Sequence, residues 1–149
     1  LRLLTNTRQL TLPDLKDILS YQHQGVIKRF CYDFSCSDSR IQEDFNDLLA
    51  WLWLSVKRHQ AGDKTFLFGP LKRLDDLWHV FILHTRDYID FCHHFFGEYI
   101  HHEVEPPGEE YQLNEPDLEE FLSDAYDCLG EAWVMKWFSS PEVHEHNPA

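Results

Sequence analysis

The chain has 149 residues, with 13 Lys plus Arg against 26 Asp plus Glu and a formal charge of -13. At roughly 100–200 residues per domain this is one domain, and folding at that size buries roughly 68–70% of the unfolded chain's surface, so the fold requires neither disulfide nor metal. The charge argues against nucleic acid and anionic membranes, both of which are held by basic patches, while 43% hydrophobic and 15% aromatic residues remove the sequence from the disordered class.

Thr11-Leu12-Pro13-Asp14 opens a short helix to about Ser20, with Pro in the first turn and an acid near the positive end of the helix dipole. After Gly25, the apolar residues of Val26 to Phe34 recur at three- and four-residue spacing, a second helical segment that could continue the first. Ser35 to Ser39 break the pattern, and Ser39 with Gln42 has the form of a capping box. A strong helix then runs from about Ile41 to His59. Its Phe45, Leu48, Leu49, Leu52 and Val56 form one stripe, and Trp51, Trp53 and Leu54 widen it enough to imply contact on several sides.

Ala61 to Lys64 is a turn, and Thr65 to Pro70 a short apolar connector that could be extended. From about 70 to 96 the residues Leu74, Trp78, Phe81, Thr85, Tyr88, Ile89, Cys92 and Phe96 keep helical spacing, which predicts one long central helix capped by Gly97. Glu103 to Gly108 contains Pro106-Pro107 and cannot be helical, so 103–113 is expected to be a Pro-rich loop. Asn114 or Glu115 starts a helix to Tyr126 or Leu129, Gly130 interrupts it, Glu131 to Phe138 adds a final turn or two, and 140–149 is expected to be a flexible tail. The expected fold is all-α, a single compact bundle of about five helices over 1–149.

The apolar run Leu48 to Leu54 is far short of the ~20 residues that span a bilayer. No cationic start, apolar stretch and cleavage site open the chain, and Cys31, Cys36, Cys92 and Cys128 form no CxxC pair. The expectation is a cytoplasmic protein with free thiols, with a Cys31–Cys36 disulfide as the alternative. The start at Leu1 also admits a piece of a larger protein.

GxGxxG, GxxxxGK, HExxH and GxSxG are all missing, so no familiar reaction motif is present. The ten histidines are the unusual feature. Asp75 or Asp76 with His79 is the best constellation, because positions three or four apart share a helix face, and one of these acids either orients the imidazole or joins it around a cation. At ~100° per residue on one straight helix, Asp75, His79, Arg86 and Asp90 lie on one flank beside the apolar stripe. His101-His102 follows Gly97, and a straight helix carries residue 79 about 27 Å from residue 97, which argues against a joint site unless the chain runs back. Each pair has a bland reading as well: capping or packing for Asp75/His79, fixing the loop for His101-His102. His93-His94 faces two directions and reads as solvated. His144 and His146 form a weak HxH on the tail, and the aromatics read as core. Cys92 beside His93 is an i,i+1 pair on different faces, unsuited to nucleophilic catalysis.

The block Leu74-Asp75-Asp76-Leu77-Trp78-His79, Leu83-His84-Thr85-Arg86-Asp87-Tyr88, Phe91-Cys92, Phe96-Gly97 and His101-His102 resembles the signature of the glycine-rich domain-containing protein-like family, over about Leu71 to His102 and more faintly back to Gln42. The resemblance implies a mostly helical domain of poorly defined role. With only 6 Gly, the chain is similar to the short bacterial form rather than to the plant proteins with glycine-rich segments. The motif positions carried over are Asp75 or Asp76, Trp78, His79, Tyr88, Cys92, Gly97, His101 and His102.

Two functions follow as expectations. The first is an acidic protein-interaction module without enzymatic activity, meeting a protein partner of basic character. The second is a metal-binding domain or metal-dependent enzyme using Asp75, Asp76, His79, His101 and His102, whose imidazoles and carboxylates suit Zn²⁺, Mn²⁺ or Fe²⁺.

Overall fold

The computed structural model describes residues 3–4, 10–103, 107 and 114–139. Most of the expected 103–113 loop and the whole expected tail, with His144 and His146, lie outside these residues. Seven α-helices occur among the described residues: α1 Leu15–Leu19, α2 Gln24–Phe34, α3 Asp38–Gln60, α4 Lys72–Leu83, α5 Thr85–Phe96, α6 Glu115–Leu129 and α7 Glu131–Phe138. A 3-10 turn at Gly69–Leu71 closes the 65–70 connector, whose Phe68 is extended, and leads into α4. The all-helical class is therefore right and the count of about five is too low.

The central element is α3, not the 70–96 segment. Phe45, Leu48, Leu49, Trp51, Leu52, Leu54 and Val56 are all buried, so α3 is covered on most of its circumference. It packs against α1, α2, α4 and α6. Its start also differs from the expected capping box: Ser37, not Ser39, occupies the extended N-cap position. α2 begins at Gln24 and is separate from α1, because the extended His23 turns its ring back and accepts the Val26 amide at Nδ1, 3.0 Å away. At the other end of the chain Asn114 caps α6 by accepting the Asp117 amide, and Gly130 at φ 98° separates α6 from α7 as its position suggested.

The long central helix is broken at His84, which serves both as the last cap of α4 and the first cap of α5. The physical reason is a local competition for carbonyls. The His84 imidazole donates Nδ1–H to the Val80 carbonyl at 3.0 Å, the oxygen that its own amide would use in a continuing helix. That amide turns to Phe81 instead. Helix α5 then leaves in a new direction with the Tyr88 amide on the His84 carbonyl at 2.8 Å. Arg86 and Asp90 consequently belong to a different helix from Asp75 and His79.

Two polar clamps fasten the outer helices. The buried Asp44 of α3 takes Arg73 of α4 at 2.7 Å and Lys136 of α7 at 2.8 Å. The buried guanidinium of Arg58 donates to the Lys64 carbonyl and to Asp124 of α6. A two-stranded antiparallel ribbon, absent from the sequence expectation, joins β1 Leu3–Leu4 to β2 His101–His102, pairing Leu3 with His102 and Leu4 with His101. No helix among the described residues is long and apolar enough to cross a membrane.

Candidate functional site

Helix α4 buries Leu74, Leu77, Trp78 and Phe81, so its remaining flank carries Asp75, Asp76 and His79. Asp76 accepts the Lys72 ammonium at 2.8 Å one turn earlier. Asp75 and His79, also one turn apart, face one another, with Asp75 Oδ1 3.7 Å from His79 Nδ1.

What completes the group is the return of the chain after α5. Gly97 adopts φ 81°, a left-handed conformation that favours glycine, and ends the helix with its amide on the His93 carbonyl. The next residues are fastened through Ile100, which is buried. Its amide donates to Cys92 Sγ at 3.5 Å and its carbonyl accepts the Tyr88 hydroxyl at 2.6 Å. The Tyr88 oxygen in turn accepts Trp78 Nε1–H at 3.0 Å. Three motif residues, Trp78, Tyr88 and Cys92, thus form one buried chain of hydrogen bonds that ties the turn after α5 to α4.

This tie delivers His102 onto α4. Its Nε2–H donates to Asp75 Oδ1 at 2.6 Å. Its ring lies 4.3 Å from the Trp78 ring and stacks on His79 at 4.4 Å. The side chain of His102 is 9% exposed, against 30% for Asp75 and 49% for His79. One candidate oxygen or nitrogen from each of the three residues lies within 4.8 Å of the others. His101, its neighbour in β2, is exposed with its ring beside Tyr99, as strand alternation requires. The condition set from sequence for a joint site, that the chain runs back along the helix, is met for His102, while His101 stays outside the group.

Burial acts to raise the Asp75 carboxyl. The His102 hydrogen bond, the charges of His79 and His102 and the Lys72 ammonium outweigh it and hold the group below the usual carboxylate range. Asp75 is thus an anion between two imidazoles. With Nε2–H of His102 engaged by Asp75, its Nδ1 is buried and without a hydrogen-bond partner among the described residues. Burial pushes the Cys92 thiol up to about 11 and the Tyr88 phenol well above its ordinary value. Both stay protonated and hold the backbone. A thiol kept neutral is a poor nucleophile.

Chemically the group offers two imidazole nitrogens and one carboxylate oxygen on an open flank, a donor set suited to borderline divalent metals. Of the residues proposed from sequence, Asp75, His79 and His102 come together. Asp76 and His101 stand outside the group. Its backbone anchor, Ile100, carries no sequence signal, since its contribution is made by its amide and carbonyl.

Residues 55–107 match the family model UCP032817-like, an uncharacterised family. The matched segment, about a third of the chain, runs from the second half of α3 through β2 and contains all three clustered residues. It corrects the resemblance read from the motif block: the similarity is to this family, and no glycine-rich domain family matches. Neither the curated proteins nor the solved structures hold a match to the chain.

Proposed function

We propose that this chain is a metal-binding domain whose Asp75, His79 and His102 hold a divalent transition metal, Zn²⁺, Mn²⁺ or Fe²⁺. The observation that carries the reading is the meeting of three donors from distant parts of the chain on one flank of α4. Two histidines with one carboxylate serve both zinc sites that keep a position for water and the three-donor sites of non-haem iron. Asp75 and His79 are prearranged by helical spacing, and the half-exposed His79 leaves one side of the group open to a water or a further ligand. Asp75 Oδ1 and His102 Nε2, which now share a hydrogen bond, would hold the cation together with His79 once the shared proton had left to solvent. The other reading, an acidic protein-interaction module, rests on net charge and on the lack of a familiar reaction motif, and names no surface.

The test is elemental analysis of untagged protein purified without added metal or chelator, followed by titration with Zn²⁺. The expected result is near one metal per chain, lost in Asp75→Asn and in His102→Ala and retained in His101→Ala. A wild-type chain that stays metal-free and takes up no Zn²⁺ at micromolar concentration would falsify the proposal.

A further inference from the structure

The three donors are not held equally. Asp75 and His79 sit one turn apart on a twelve-residue helix that packs on α3. The third, His102, sits on a strand of two residues. On one side that strand is anchored by Ile100 through Tyr88 and Cys92. Among the described residues its backbone partner in the ribbon is β1, with Leu3 opposite His102 itself and Leu4 opposite His101. The chain that follows β1 is fastened in turn: Leu10 is buried, its carbonyl accepts Gln60 Nε2 at 3.3 Å, and the Thr11 amide and hydroxyl donate to the carbonyls of Phe96 and Phe95.

We infer that the N-terminal strand β1 is a latch on the metal site, so that docking of Leu3–Leu4 on β2 and metal binding at Asp75, His79 and His102 favour one another. The inference rests on the metal reading above and adds its regulation. A ligand's apparent affinity falls by the fraction of time its site is not assembled, and here the donor carried by the shortest element, His102, is the one paired to β1. Linkage makes the effect reciprocal: metal fixed to His102 holds β2 in register, and β2 in register is the template on which β1 docks. Any event that draws the N-terminal strand away, such as cleavage behind it or its capture by another protein, thereby loosens the metal.

The experiment compares the intact chain with one lacking residues 1–4. Zn²⁺ affinity is measured by competition with a chromophoric chelator, and circular dichroism melting checks that the shortened chain is folded. Zn²⁺ affinity is expected to fall roughly tenfold, within the usual range of such couplings. In parallel, hydrogen exchange on the intact chain reads the amides of residues 3–4 and 101–102 with and without Zn²⁺. Their protection is expected to rise with the metal, and not to rise in Asp75→Asn. This second measurement decides the matter if the shortened chain does not fold. Equal Zn²⁺ affinity in both chains, with strand amides indifferent to the metal, overturns the latch and leaves the site standing. An intact chain that binds no Zn²⁺ removes the site and the latch together.

Discussion

The hydroxyl of Tyr88 is a shared joint: it accepts from the Trp78 indole and donates to the Ile100 carbonyl inside a fully buried environment. Removing it leaves a buried donor and a buried acceptor unpaired, each costing roughly 1–3 kcal/mol. Tyr88→Phe is therefore expected to destabilise the protein by about 3 kcal/mol in urea denaturation. It is also expected to weaken the Asp75–His102 contact, visible as a change in the His102 ring resonances by NMR. A loss below about 1 kcal/mol would mean that water takes over the two partners. His23 does similar work away from the site, with Nδ1 accepting the Val26 amide and Nε2–H donating to Asp87 of α5 at 2.6 Å. Both roles are fixed by the tautomer, since the nitrogen that accepts a backbone N–H cannot carry the proton.

Between elements, buried charges set which helices move together. Arg58 lies almost wholly inside the protein, and its link to α6 is Asp124. Asp124→Ala strands a buried guanidinium, whereas Arg58→Met exchanges a charged pair for packing against Phe121, whose ring already lies 5.6 Å from the guanidinium carbon. The expected losses are about 2–4 kcal/mol for the first and distinctly less for the second, by thermal denaturation. Equal losses would show that the guanidinium contributes mainly through its bond to the Lys64 carbonyl. Element boundaries were legible where a chemical signal marked them, as at Asn114 and Gly130, whereas α1 starts later than expected, at Leu15, with Asp14 as its N-cap and Pro13 before the helix rather than in its first turn. The break at His84 was not, because neither Gly nor Pro stands there and Leu74, Trp78, Phe81, Tyr88 and Cys92 keep helical spacing across it: both helices bury the same phase of the pattern in one core. The pairing of Asp75 with His79 followed from spacing alone. His102 was a candidate from sequence together with His101, but its meeting with the pair was not legible, since its arrival depends on that unseen break and on backbone bonds at Ile100. A ribbon of two-residue strands is likewise too short to show alternation.

Across the whole molecule, the core holds several acids that must stay protonated. Burial lifts the Cys92 thiol from about 9 to about 11 and is the main cause lifting Tyr21 from 10.0 to about 12, with Asp87 and Asp90 adding to it; Tyr88 is raised as well. In the unfolded chain these groups lose their protons at lower pH than in the folded one. Stability from this source is therefore complete below about pH 9 and lost as pH rises through 9 to 12. Cys92 alone accounts for roughly 2–3 kcal/mol of that loss, at 1.36 kcal/mol per tenfold change. Denaturation midpoints measured from pH 8 to 11 should fall continuously, and the slope should be shallower in Cys92→Ala, after allowance for its lower starting stability. A flat profile would place these groups in contact with solvent. On the acid side the sign is opposite: the lowered Asp75 carboxyl contributes above its ordinary value and ceases to as pH falls through its folded one.

The joint at His84 has no spare length, since a single residue closes α4 and opens α5. One residue inserted or deleted there would turn α5 by ~100° about its own axis, carrying Tyr88 out from under Trp78 and swinging the whole 97–102 return away from Asp75. Changes of side chain at this corner alter its strength, but a change of register dismantles the neighbourhood of His102 outright. In the diversification of such a sequence, length at position 84 is the inflexible quantity, and insertions have room to accumulate only where the chain is not measuring a distance between two helices.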